Sequence, residues 1–143
     1  MKQKGSKGGG LAGGPAIEGL EVVPDLAIVA LPAKAVAGAI DECLAKGVKA
    51  IALFTAGFGD IDARGLATQE RIAARCADAG CRLLGPNSLG FIDFHSGLYA
   101  TFSSALDNIW PKAGNVGIAS QSGAVGTDLM ALAPQCALGF SHF

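Results

Sequence analysis

Apolar residues first gather without interruption at Leu26-Ala27-Ile28-Val29-Ala30-Leu31. Such a run is expected of a strand covered on both faces in a parallel sheet. Pro32 stops it. Beyond it Val36, Ile40 and Leu44 recur four apart, with Asp41, Glu42 and Lys46 elsewhere around the turn. That spacing predicts an amphipathic helix, closed by Gly47 just past its last turn. Val48 to Phe54 is a second buried strand, followed by the glycine-bearing loop Thr55-Ala56-Gly57-Phe58-Gly59-Asp60. Leu66, Ile72, Ala73, Cys76 and Ala77 then form the apolar side of a helix running from Asp62 or Gly65 to Ala79. Gly80 closes it, and Cys81 to Leu84 is a short strand leading into Gly85-Pro86-Asn87-Ser88-Leu89-Gly90. Strand, helix, strand, helix, strand with short links predicts a parallel α/β sheet with right-handed crossovers.

Residues 91–112 break this rhythm, and Pro111 and Gly114 flank an expected boundary. Asn115 to Ala119 reads as a new strand, and Ser120-Gln121-Ser122-Gly123 turns into a helix over about 122–133 that Pro134 ends. The organisation expected is a Gly- and Lys-rich tail over 1–23, a first domain over 24–110 and the N-terminal part of a second over 111–143. One strand and one helix do not bury their own core, so the second unit is expected to be truncated. The first has no strand or glycine-rich turn before Pro24, so its sheet is expected to be incomplete there. The edge at 26–31 should then be unpaired and inclined to self-associate.

Composition narrows the classes of function. The 143 residues hold 11 Lys+Arg against 12 Asp+Glu, a net charge of −1. This lacks the basic surplus of a nucleic-acid binder. Hydrophobic residues at 50% and charged residues at 16% supply a core and exclude disorder over most of the chain. No apolar run approaches the roughly 20 residues of a membrane span, and the N-terminus lacks the apolar stretch of a signal peptide. Cys43, Cys76, Cys81 and Cys136 contain no Cys-x-x-Cys pair, and neither His95 nor His142 completes a zinc spacing. They read as buried free thiols of a reducing compartment, the cytoplasm.

Ligands of open α/β sheets bind at the C-terminal ends of the strands. Four segments qualify: Leu31-Pro32-Ala33, Phe54-Thr55-Ala56-Gly57, Gly85 to Gly90, and Ser120 to Gly123. For any one of them alone, a tight strand-to-helix turn is sufficient reason for its glycine. Ser120 to Gly123 opens a helix after a strand, which suits a phosphate or other anion and equally suits an ordinary serine cap. The same residues loosely resemble a hydrolase elbow centred on Ser122. That chemistry needs an acid and then a histidine downstream. Only Asp128 and His142 follow, and Asp128 falls in the helix after Ser122, so the hydrolase is disfavoured. Asn87 could donate to a carbonyl or phosphate, or hold its own turn. Ser88 has no base beside it in sequence, the two histidines suit surface or structural roles, and Asp60 and Asp62 suit a loop and a helix cap rather than a metal.

Taken in order, Pro24 to Ala33, Gly47-Val48-Lys49-Ala50, Ala56-Gly57-Phe58-Gly59-Asp60, Gly85 to Gly90 and Ser120-Gln121-Ser122-Gly123-Ala124 resemble the NDP-forming acyl-CoA synthetases. That family is similar to the succinyl-CoA synthetase α subunit. The resemblance covers about residues 24–143. It implies a Rossmann-like CoA-binding domain followed by the first strand and helix of a flavodoxin-like, succinyl-CoA-ligase-type domain. It also implies a reaction in which acid, CoA and ATP give acyl-CoA, ADP and phosphate through an acyl phosphate and a phosphohistidine.

Carried over by motif, Pro32, Phe54, Thr55 and Ala56 would line the CoA site. Gly85, Pro86 and Asn87 would approach the thioester and phosphate. Ser120, Ser122 and Gly123 would hold the phosphoryl group. The resemblance names no catalytic residue within this chain. Its partners would be CoA or acyl-CoA and an ATP-grasp domain or subunit, with ATP, ADP and Mg implied only for the full-length enzyme. Three departures stand out. Ser88 occupies a place where Cys is usual, and Asp60 one where Glu is common. The phosphohistidine motif would lie beyond Phe143, and His142 is not part of it, so the chain is not expected to turn over alone. The alternative is a non-catalytic CoA-sensing or structural module, as in a synthetase-like domain fused to a protein acetyltransferase.

Overall fold

The computed structural model describes residues 16–103 and 110–143. They form two compact units, one ending at Pro86 and the other running from Asn87 to Phe143. In the first, β1 (Ala27–Val29), β2 (Ala50–Leu53) and β3 (Arg82–Leu84) lie in the order β1-β2-β3, all parallel. The crossovers are α1 (Ala33–Lys46) and α2 (Ala63–Asp78). The helix boundaries follow the chemistry read in the sequence. Gly47 ends α1 at φ +92°, a left-handed conformation that glycine adopts without a Cβ penalty. Asp62 caps α2, its Oδ1 accepting the Gly65 N–H at 2.7 Å.

Register explains what the sheet buries. Ala27, Ile51 and Leu83 lie in one row and Val29 and Leu53 in the next, all on one face because side chains alternate along a strand. Val36, Ile40 and Cys43 of α1 join Ile72 and Cys76 of α2 in a single cluster over that face. Ile28 and Leu84 point the other way and stay 50% and 40% exposed. The expectation that β1 is covered on both faces is therefore corrected. Right-handed crossovers between strands laid down in the order 1-2-3 put successive helices on the same side.

Part of the span expected to be a tail is also tied down. Ile17 packs against the core, and Lys46 Nζ donates to the carbonyls of Glu18 and Leu20. The first fifteen residues of that span lie outside the described ones. At the N-terminal end of the sheet, Cys43, Cys76 and Cys81 are buried free thiols, whereas Cys136 of the second unit is exposed, against the expectation that all four are buried. Desolvation, with Cys81 as neighbour, pushes the Cys76 thiol up to about 11. A thiol so placed stays protonated at neutral pH and behaves as a small apolar side chain.

The second unit holds β4 (Gly90–Asp93), β5 (Leu98–Thr101), β6 (Ala113–Gly117), α3 (Gly123–Leu132) and β7 (Phe140–His142). Its sheet order is β5-β4-β7-β6. β7 is the central link. It runs antiparallel to β4 through reciprocal bonds between Ile92 and Phe143 of 2.7 and 2.9 Å, and parallel to β6. Ile92, Phe94, Met130, Ala133 and Phe140 form the core.

This differs from the division at residues 110/111 with only one strand and one helix beyond it. Residues 90–101 break the strand–helix rhythm because they form an antiparallel hairpin, and that hairpin pairs with strands that follow the break. Among its described residues the unit thus has four strands and an α-helix around a core of its own. Residues 104–109, placed in the first domain by the sequence, lie outside the described ones.

Two glycines separate conformational from steric demand. A Cβ on Gly38, inside α1, would meet nothing within 4 Å, whereas one on Gly65 would fall on the Phe58 carbonyl oxygen. Gly38→Ala is expected to stabilise the chain by about 0.5–1 kcal/mol. Gly65→Ala is expected to destabilise it by about 2 kcal/mol or more. Denaturant unfolding followed by circular dichroism distinguishes the two, and equal effects would contradict this packing.

Candidate functional site

In the first unit the residues of interest gather at the C-terminal ends of the parallel strands. Leu31 and Pro32 follow β1, and Phe54, Thr55 and Ala56 follow β2. The Phe54 N–H donates to Val29 O at 3.0 Å. Thr55 Oγ1 then donates to Leu31 O at 2.7 Å, so the two chain ends are joined beyond the last ladder bond. Pro32 precedes α1 and supplies no side-chain cap. The first-turn N–H groups of that helix therefore begin at the strand ends without a side-chain acceptor.

The loop after β2 is braced from several directions. Gly57 sits at φ +102°, where its Cβ position would lie 3.4 Å from Ala33 Cβ. Phe58 is buried in the core at 2% exposure. The Asp60 carboxylate accepts the Gly57 N–H at 3.1 Å and the Phe58 N–H at 2.8 Å. These bonds, the Phe58 one foremost, hold the Asp60 carboxyl below the usual carboxylate range. Gln69 Oε1 accepts the Gly59 N–H at 3.2 Å.

Gly85 and Pro86 follow β3 and are joined by a cis peptide bond. Asn87, at φ 53°, begins the second unit. There Ser88 Oγ accepts the Gly90 N–H at 3.0 Å, and Thr101 Oγ1 donates to Leu89 O at 2.7 Å. Leu89 lies against the start of α3, its Cδ2 3.4 Å from the Cβ position of Gly123. The loop of Asn87 and the turn of Ser120 to Gly123 are thereby neighbours. Ser120 Oγ donates to Ser122 O at 2.9 Å, and Ser122 Oγ accepts the Val125 N–H at 3.3 Å. Ser122 is thus a helix cap, and that geometry leaves the anion reading of the N–H groups of Gly123 and Ala124 compatible with it.

The structure therefore brings together Pro32, Phe54, Thr55 and Ala56, with Gly85 and Pro86 at the end of the third strand. Separately, it sets Leu89, two residues after Asn87, against Gly123 in the turn of Ser120 and Ser122. The sequence marks Asp60 as a loop residue without its partners and misses Gln69 and Leu89 as supporting residues. For Asp60 the signal was present, since a Gly-x-Gly-Asp loop invites a carboxylate to bind nearby amides. Gln69 and Leu89 carried none, because their roles depend on tertiary placement.

The remaining polar groups do not assemble a hydrolase. Ser122 Oγ is engaged as a cap, and Asp128 lies within α3. His142 Nε2 stands 3.9 Å from Asp93, its register partner on β4. Asp93 also accepts from the Ser96 hydroxyl at 2.8 Å and from the His95 and Ser96 N–H groups. The Ser96 bonds foremost hold its carboxyl low. His95 Nε2 meets Gly114 O at 3.0 Å. These contacts brace the hairpin turn. Among the described residues no group of His, Cys, Asp or Glu is arranged to hold a metal ion, and no helix is long and apolar enough to cross a membrane. A groove of about 430 Å³ runs beside β1, lined by residues 26–31 with Ile17, Ala39 and Cys43.

A family model described as CoA binding domain matches residues 5–93. The subunit alpha of acetate–CoA ligase (ADP-forming) II from Pyrococcus furiosus is 37% identical over 119 residues, 83% of this chain and 25% of that protein. The acetate–CoA ligase (ADP-forming) of Methanocaldococcus jannaschii is 38% identical over 117 residues, 82% of this chain and 16% of that protein. The chain thus spans a quarter or less of these relatives. Among solved structures, the dinucleotide forming acetyl-coenzyme A synthetase 1 of Ca. Korarchaeum cryptofilum, in complex with phosphate and ADP, matches with TM-score 0.84 and 32% identity. That match covers 95% of this chain and 28% of that one.

Ser122→Ala is expected to cost the second unit about 1 kcal/mol through loss of the α3 cap. Unfolding followed by the fluorescence of Trp110, the single tryptophan of the chain, reads this directly. An unchanged midpoint would show that the cap contributes nothing.

Proposed function

We infer that this chain, which belongs to the CoA binding domain family, holds CoA across the C-terminal ends of β1 and β2. The observation that carries the reading is the Thr55 Oγ1 to Leu31 O bond. It draws two strand ends into one edge, where Pro32, Thr55 and Ala56 offer small side chains, and Phe54 an apolar ring, to an extended ligand. The uncapped start of α1 and its Lys34 add positive potential beside that edge, which suits the phosphates of CoA.

Within a longer protein the chain would serve an NDP-forming acyl-CoA synthetase, in keeping with its relatives. There acid, CoA and ATP become acyl-CoA, ADP and phosphate. The CoA thiol attacks the carbonyl of an acyl phosphate, and phosphate leaves. Gly85, Pro86 and Asn87 would stand near the reacting groups. Ser120, Ser122 and Gly123 would hold the phosphoryl group with backbone N–H groups at the start of α3. The phosphohistidine and the ATP-grasp part, with its Mg and nucleotide, would be supplied from outside these residues. The relatives are ligases, which weighs against a CoA-sensing module attached to an acetyltransferase. The three buried thiols fit a reducing compartment such as the cytoplasm.

CoA titrated into the ¹⁵N-labelled chain should shift the amides of residues 31–34 and 54–58, and Thr55→Val should weaken binding about tenfold. Shifts confined to the opposite end of the sheet, near Gly47 and Gly80, would contradict the reading. A second copy is also proposed to pair along β1. Among the described residues that strand is bonded to β2 alone, and Ile28 is exposed beside it. Light scattering should show dimers growing with concentration, and a monomer throughout would count against this.

A further inference from the structure

We propose that Asp60 is a positioning residue for the CoA site, acting through the backbone of Gly57 and Phe58. This inference rests on the CoA reading above.

The loop that would carry the CoA contacts leaves the sheet at Phe54 and enters α2 at Ala63. Its inner side is fixed by apolar packing, because the Phe58 ring is inserted in the core. Elsewhere the loop is held by polar contacts. There two consecutive N–H groups, of Gly57 and Phe58, converge on the Asp60 carboxylate at 2.8–3.1 Å. Converging amides of this kind form a concavity that accepts an anion, and here the chain provides the anion itself. The bond pair sets the orientation of the peptide planes on both sides of Gly57, a residue in the left-handed region at φ +102°. Ala56 and Thr55 come immediately before. The plane that presents their backbone to a ligand is therefore fixed from the side that the core does not reach.

Two features separate this role from ordinary structural support. Asp60 is exposed and absent from the core cluster, so its loss should spare the fold. The capping of α2 belongs to Asp62, not Asp60, so the helix keeps its start without it. What Asp60 holds is the loop alone. Preorganising a loop in its bound conformation raises affinity by lowering the cost of ordering it on binding. The same bonds hold the carboxyl below the usual carboxylate range, and like any aspartate it is ionised at neutral pH, so the clamp is closed under the conditions in which a ligand would arrive.

The test compares the full 143-residue chain with Asp60→Ala and Asp60→Glu. Calorimetric titration reads CoA affinity, amide hydrogen exchange reads Gly57 and Phe58, and thermal melting reads stability. Asp60→Ala should weaken CoA binding about tenfold and speed exchange at those two amides, with the melting temperature little changed. Asp60→Glu, which keeps the carboxylate, should recover most of the affinity. If the unsubstituted chain binds CoA and Asp60→Ala binds it within twofold, the positioning role is overturned while the CoA reading stands. If affinity falls only in step with melting temperature, or Asp60→Glu fares no better than Asp60→Ala, the role is overturned as well. If the unsubstituted chain binds no CoA, both inferences fail together.

Discussion

Packing of one face of the β1-β2-β3 sheet against α1 and α2 is the constraint on which the first unit depends. Val29, Ile51 and Leu53 face Val36 and Ile40 of α1 and Ile72 of α2. Each such side chain contributes roughly 1.5–3 kcal/mol when fully buried. That packing leaves each crossover a single route, from the C-terminal end of one strand to the N-terminal end of the next. The turns that begin the helices consequently share one edge of the sheet. Leu31-Pro32-Ala33 and Phe54 to Asp62 are neighbours because β1 and β2 are adjacent and parallel. The Thr55 hydroxyl then uses that proximity to join the ends of β1 and β2.

The second unit meets its requirements differently. β6 alone could not be stable, and β7 supplies the bridge to the hairpin of β4 and β5. The bridge also places the loop after Pro86 beside the start of α3, with Leu89 filling the space above Gly123. β7 pairs with both β4 and β6 and so ties the hairpin to the strand that precedes α3.

Strong local signals made much of this legible in advance. The run from Leu26 to Leu31, the fourfold spacing of Val36, Ile40 and Leu44, and the glycines at 47 and 80 marked elements that the structure contains within a few residues. Asp62 and Ser122 were legible as caps because their hydroxyl or carboxylate precedes a helix. The hairpin was not, since Gly90 to Thr101 pairs antiparallel between two parallel patterns and carries no tight two-residue turn signal. Phe140-Ser141-His142 was too short to read as a strand, and its pairing is non-local. The open face of β1 was hidden for another reason. Its apolar run suits a strand covered on both sides, and only the order of the strands reveals that both helices lie on one. In the site, the residues at strand ends were readable from position, but the clamp on Gly57 and Phe58 depends on where the Asp60 side chain turns.

The central claim is that CoA lies across the C-terminal ends of β1 and β2. A crystal structure of the chain grown with CoA tests it most directly. The account predicts density for the ligand against Pro32 and the Thr55-Ala56 backbone, with its phosphates near the start of α1. Ligand density at the N-terminal ends of the strands, near Gly47 and Cys81, or confined to the second unit, would contradict it.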